Sequence, residues 1–114
     1  PVKLYTHLIG DPQYHGRPGD RLSFAVRGEF TADGLKLTVI EKDRSLYHHP
    51  YTAIVPASDL GPDWRQVTLR LEQFKDQEGR SPQSWAVIDK LELLGSAAKR
   101  TPPRFAQWRW TQQP

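Results

Sequence analysis

The stretch Trp64-Arg65-Gln66-Val67-Thr68-Leu69-Arg70-Leu71 decides the fold class. Val67, Leu69 and Leu71 fall on one side of a two-residue repeat, and Gln66, Thr68 and Arg70 fall on the other. A period of two is the mark of a pleated strand with one buried face, whereas an amphipathic helix repeats every 3.6 residues. The same period runs outward in both directions. Val2, Leu4, Thr6 and Leu8 share one face of a first strand, opposite Lys3, Tyr5 and His7. Leu22, Phe24 and Val26 alternate with Arg21, Ser23, Ala25 and Arg27, and Asp33-Gly34 is read as the turn into Leu35, Leu37 and Val39, because glycine accepts a positive φ at no steric cost. Residues 51–55 form a further strand between Pro50 and Pro56. Leu91 and Leu93 resume the pattern until Gly95, and a last strand near 104–111 sets Ala106, Trp108 and Trp110 against Phe105, Gln107 and Arg109.

Helix signals are sparse. Ser81-Pro82 reads as an N-cap followed by proline at the first helical position, with one or two turns carrying Trp85 and Ile88 inward. Short strands, scarce helix and 10 prolines predict an all-β fold: a two-sheet antiparallel β-sandwich with at most one short helical turn. With 114 residues, 37% hydrophobic and 25% charged, residues 1–114 are expected to form one domain. The chain enters strand-like sequence directly at Pro1, which suggests a module excised from a larger protein.

Composition narrows the function. There is no cysteine, so disulfides, thiol nucleophiles and cysteine zinc sites are excluded. The net charge of +3 comes from 16 Lys and Arg set among 13 acids without a basic block, so no nucleic-acid partner is expected. No apolar run approaches the roughly 20 residues of a membrane-crossing helix, so no membrane partner is expected either. A nucleophile elbow, an HExxH pair and a phosphate-cradling glycine loop are all missing, which predicts a non-catalytic domain. Adjacent His48 and His49 would point to opposite faces of a strand, so no metal site is assigned to them or to His7 and His15. Asp76-Gln77-Glu78-Gly79 holds part of an oxygen-ligand calcium loop, and a solvated turn accounts for the same residues.

The aromatic residues carry the remaining signal. Tyr5 lies on the less apolar face of the first strand, Tyr14 lies in a long loop, and Tyr47 and Tyr51 bracket His48-His49-Pro50. Tyrosine rings can stack on sugar C–H faces while neighbouring polar groups hydrogen-bond the hydroxyls. Trp64 and Trp85 are expected to cap the core ends. Trp108 and Trp110 share one fate, either core filling or a flat platform.

The run from Trp64 through Val67, Leu69 and Leu71 to Phe74, then Trp85, Ile88, Leu91 and Leu93, and the closing Phe105 to Trp110, resembles the galactose-binding-like jelly-roll modules attached to polysaccharide-degrading enzymes and carbohydrate esterases. The fold of that family is also similar to that of assembly factors for respiratory complex I, which bind protein. The resemblance implies carbohydrate as partner, a neighbouring catalytic domain as a second contact, and a secreted or cell-surface setting. It allows a structural calcium ion without assigning its ligands; no other cofactor is expected. Carried onto this chain, Tyr5, Tyr47 and Tyr51 would stack on the sugar, with His7, Arg27 and Arg70 as hydrogen-bonding partners. The alternative is a structural or docking sandwich that packs on a neighbouring protein domain.

Overall fold

The computed structural model describes residues 2–6, 15–41, 49–98 and 102–112, with the backbone alone described for 2–6. Among the described residues seven strands follow one another: β1 (Val2–Thr6), β2 (Arg21–Arg27), β3 (Phe30–Glu41), β4 (His49–Val55), β5 (Arg65–Leu69), β6 (Ile88–Ala97) and β7 (Arg104–Thr111). They form two antiparallel sheets, one of four strands in the order β1-β6-β3-β4 and one of three in the order β5-β2-β7. The two sheets close a β-sandwich, as the two-residue repeat predicts.

The repeat sets the core directly. Leu22, Phe24 and Val26 from β2 and Val67 and Leu69 from β5 face Leu35, Leu37 and Val39 from β3, Ala53 and Val55 from β4, and Leu91 and Leu93 from β6. Each large apolar side chain fully buried there contributes about 1.5–3 kcal/mol of transfer free energy before chain entropy is charged against it. Trp85 and Phe74, both buried, meet edge to face at 5.7 Å and close one end of the core. Trp85 donates its indole N–H to the Asp20 carbonyl at 2.8 Å, so its polar atom is satisfied inside.

Among the described residues the helical content is three single 3-10 turns, at Ala57–Asp59, Leu71–Gln73 and Trp85–Val87, where the sequence suggests at most one turn. No helix begins at Ser81: its hydroxyl donates to the Glu72 carbonyl and ties two loops together. Trp85 and Ile88 nevertheless point inward, as expected. No helix among the described residues is long and apolar enough to cross a membrane.

Two glycines also behave otherwise than their sequence setting suggests. Asp33-Gly34 is not a hairpin turn. β2 and β3 belong to different sheets, the chain crosses between them at residues 28–29, and Gly34 lies inside β3 at φ 74° where the register with β6 slips. Its missing Cβ is required there, since one would stand 2.3 Å from the Val55 carbonyl oxygen. Gly95 does not end β6, which continues to Ala97; the Phe30 ring packs onto Gly95 where a side chain would sit.

The last strand departs most from simple alternation. Ser23 pairs with Arg109 and Ala25 with Ala106, so Gln107 and Trp108 together oppose Phe24 in a β-bulge. Gln107 takes φ 58°, the left-handed region. The extra residue shifts the phase and brings Phe105, Trp108 and Trp110 to the core side, leaving Arg104, Ala106, Arg109 and Thr111 on the outer side. Phe105 therefore sits with the two tryptophans and not opposite them.

Candidate functional site

The outer face of the three-stranded sheet is built by residues in antiphase to the core. Arg21, Ser23, Ala25 and Arg27 come from the central strand β2, Gln66 and Thr68 from β5, and Arg104, Ala106, Arg109 and Thr111 from β7. Arg70 extends β5 by one position in extended geometry. At the centre, the Ser23 hydroxyl reaches Thr68 Oγ1 at 3.1 Å and Thr111 Oγ1 at 2.8 Å, a hydroxyl chain that crosses all three strands. Ser23 and Ala25 are both buried, because these small side chains lie low between longer neighbours. Arg27 pairs directly with Arg104 across the strands. Like charges placed opposite one another cost stability, so this face is not arranged for stability alone.

At its Arg21 end the face opens into a cleft of about 300 Å³ whose walls include Asp20, Arg21, Arg70, Glu72, Gln83 and Trp85. Local bonds fix the turns that carry two of its wall residues, Asp20 and Arg70. Asp20 Oδ2 accepts the Arg17 N–H at 2.9 Å, and the Gln73 side-chain oxygen accepts the Arg70 N–H at 2.8 Å, fixing the turn that carries Arg70. The cleft thus offers guanidinium, carboxylate and amide groups from loops at the end of a rigid sheet, the usual place for binding residues.

A second polar group lies at the start of β4. His49 Nε2 is 3.0 Å from Asp76 Oδ2, and the His49 ring stacks on Tyr51 with centroids 4.7 Å apart. Tyr51 donates its hydroxyl proton to Glu41 Oε2 at 3.0 Å. Burial, followed by the Glu41 hydrogen bond and charge, pushes the Tyr51 phenol up to about 12. Asp76 Oδ1 accepts the backbone N–H groups of Arg80 and Glu78, at 2.8 and 2.9 Å, and Arg80 also pairs with Glu78. The Arg80 N–H comes first among the causes that hold the Asp76 carboxyl below its ordinary value, with the His49 and Glu78 bonds adding to it against a desolvation cost. These oxygens are spent on closing the 76–80 turn, which is joined to β4 by paired backbone bonds between Thr52 and Lys75. Asp76 thus braces the 76–80 turn through Oδ1 and reaches His49 on β4 through Oδ2. Among the described residues no group of three or more His, Asp or Glu gathers as a metal site would require.

Of the residues singled out in the sequence, the described side chains of Arg27, Arg70 and Tyr51 do not share one site. Arg27 and Arg70 both lie on the outer face of the three-stranded sheet but at opposite ends of β2. Tyr51 belongs to the four-stranded sheet and is buried in the core, with its ring covered by His49. Tyr5 takes the register position opposite Glu92 on β6. His7 and Tyr47 lie outside the described residues. Arg21, Arg104 and Arg109 accompany Arg27 and Arg70 on the same face. Arg21 and Arg27 share the phase of β2 and were legible from it. Arg109 was not, because alternation without the bulge puts it opposite Arg104.

The tryptophans divide differently from expectation. Trp85 caps the core, but Trp64 is 48% exposed at the Arg27 end of β5. Trp110 packs on Trp85 inside, while Trp108 covers Phe24 and remains 39% exposed. Two further apolar side chains, Ile54 at 61% and Leu94 at 46% exposed, stand on the outer face of the four-stranded sheet, each paired by register with Lys36.

No protein-family model matches the chain, and neither curated proteins nor solved structures contain a significant match to it.

Proposed function

We propose that this domain binds carbohydrate without transforming it and holds an attached catalytic domain against a polysaccharide, within a secreted or surface protein. The observation that carries the reading is the cleft at the Arg21–Arg70 end of the three-stranded sheet, open to a face of guanidinium, hydroxyl and amide groups. Sugars are bound through such planar donors and hydroxyl partners, and several weak contacts suffice when the gain is local concentration of a tethered catalyst. Calorimetric titration of the folded domain with a panel of oligosaccharides tests it. Binding should weaken about tenfold in Arg70→Ala, the scale of one lost charge-assisted hydrogen bond. A folded domain that binds no glycan at millimolar concentration overturns the reading.

One observation favours the docking alternative. Ile54 and Leu94 flank Lys36 on the opposite sheet, giving exposed apolar contacts with a cation between them. A neighbouring protein domain seated there would protect these strands from hydrogen exchange in the full-length protein.

A further inference from the structure

Every charged side chain at an outward position of β5, β2 and β7 is an arginine: Arg21, Arg27, Arg104 and Arg109, joined by Arg70 at the cleft. The ion pairs linking Asp76 to His49 and Arg80, Arg80 to Glu78, and Lys90 to Glu92 all lie away from this face. Guanidinium groups form a fixed fork that matches the two oxygens of a planar anion, and they hold their charge at any pH the protein meets. Here they form two groups with one residue between. Arg21 and Arg70 line the cleft, Arg27 opposes Arg104 at the far end of β2, and Arg109 lies between them beside Ser23, donating to the Gln107 carbonyl at 2.9 Å. Six strand steps separate Arg21 from Arg27, about 20 Å. Between them run the Ser23–Thr68–Thr111 hydroxyls and the side-by-side Ala25 and Ala106, low ground along which a chain can lie.

We infer that the ligand of this face is a linear polyuronate, a polysaccharide bearing one carboxylate per sugar, laid along β2 from the cleft to the Arg27–Arg104 pair. The inference rests on the carbohydrate reading and deepens it. A single sugar cannot reach both arginine groups, whereas a polymer with regularly spaced carboxylates engages both. Anions bound between opposed arginines also relieve the repulsion that the apo sheet carries. Charge balance selects the carboxylate polymer over a densely sulfated one, because Asp20 and Glu72 share the cleft walls with Arg21 and Arg70 and temper its potential. A nucleic acid fits less well, since stacking platforms are what hold single-stranded bases. The ground between the arginine groups is Ser23, Ala25 and Ala106, and the exposed Trp64 stands only at one end.

The test measures the affinity of the intact domain for polygalacturonate, a panel of neutral glycans including dextran, dextran sulfate, and a single-stranded oligonucleotide, each at low and high salt. Polygalacturonate should bind most tightly, and its affinity should fall as salt screens the contacts. The double variant Arg27→Gln/Arg104→Gln should lose about tenfold or more in that affinity. Arg65→Gln, which alters an exposed arginine paired with the inward-facing Val26, should leave it unchanged. Circular dichroism confirms that each variant is folded. Equal or tighter binding of dextran overturns the polyuronate assignment while sustaining the carbohydrate reading. Tighter binding of dextran sulfate or of the oligonucleotide overturns it in favour of general polyanion binding. Failure of every glycan overturns both.

Discussion

Trp108 lies flat on Phe24, with ring centroids 4.2 Å apart and planes inclined by 16°. Phe24 is wholly buried although β7 is the sheet's edge strand, and Trp108 is the lid that excludes water from that side. This contact makes Trp108 part of the core's closure. Trp108→Ala should destabilise the domain by about 2 kcal/mol, below the usual range for a buried tryptophan because part of the ring is already wet. Trp108→Phe should recover much of the loss. Urea unfolding midpoints at an unchanged m value measure both. An alanine variant of full stability would return Trp108 to the role of interface platform.

The lid depends on the bulge one residue earlier. Gln107 occupies φ 58°, a region that costs an ordinary L residue about 1–2 kcal/mol. Gln107→Gly should therefore be neutral or stabilising by up to about 1 kcal/mol, the gain in backbone freedom being offset by glycine's entropy in the unfolded chain. Gln107→Val should destabilise by more than about 1 kcal/mol, since a β-branched side chain is least compatible with positive φ. Thermal melts of the pair settle the sign. Two variants of equal stability would mean that the bulge does not impose this conformation in solution.

The core strands were legible in the sequence because burial on one face writes itself as alternation. Leu22, Phe24 and Val26 are inward in the sequence pattern and in the fold, and so are Val67 and Leu69. The bulge was hidden because positive φ at a glutamine leaves no chemical mark; its trace was the spacing of Phe105, Trp108 and Trp110, three and then two residues apart, which strict alternation cannot bury together. Which faces belong to the same sheet was also beyond local reading. Arg27 and Tyr5 each have a definable phase, but only long-range pairing sends one strand to β5 and β7 and the other to β6. For the same reason Tyr5 and Tyr51 stand on one sheet and Arg27 and Arg70 on the other. Tyr51 shares its phase with Ala53 and Val55, which marks it for burial despite its phenol.

Tyr51 gives an alkaline signature. Its folded value of about 12 exceeds the ordinary 10.0, so the fold favours the neutral phenol. That contribution to stability is complete below pH 10 and is lost as pH rises through the folded value. Phenolate absorbance should show Tyr51 titrating late. Tyr51→Phe should cost about 1 kcal/mol at neutral pH by removing the bond to Glu41, with Glu41 half-exposed and able to find water. The gap between wild type and variant should narrow from pH 10 upward. A constant gap would show that the phenol does not sense folding.

Asp76 gives the opposite limb. Its carboxyl is held below the ordinary 3.8, chiefly by the Arg80 backbone N–H and further by His49 and Glu78. A depressed acid stabilises the fold above its unfolded value, and the contribution disappears as pH falls through the folded one. Asp76→Asn keeps one carbonyl oxygen for the turn but removes the charge facing Arg80 and the acceptor facing His49. The variant should be less stable than wild type at neutral pH, and the two should begin to converge below about pH 4, where the carboxyl of the unfolded chain protonates, and meet once the folded carboxyl is protonated as well. Urea unfolding across an acid series measures the convergence. Should the difference persist undiminished at low pH, the contribution of Asp76 would lie in the shape of the 76–80 turn and not in its charge. In that case the Thr52–Lys75 backbone bridge, at 2.8 and 3.0 Å, would be what fastens the turn to β4.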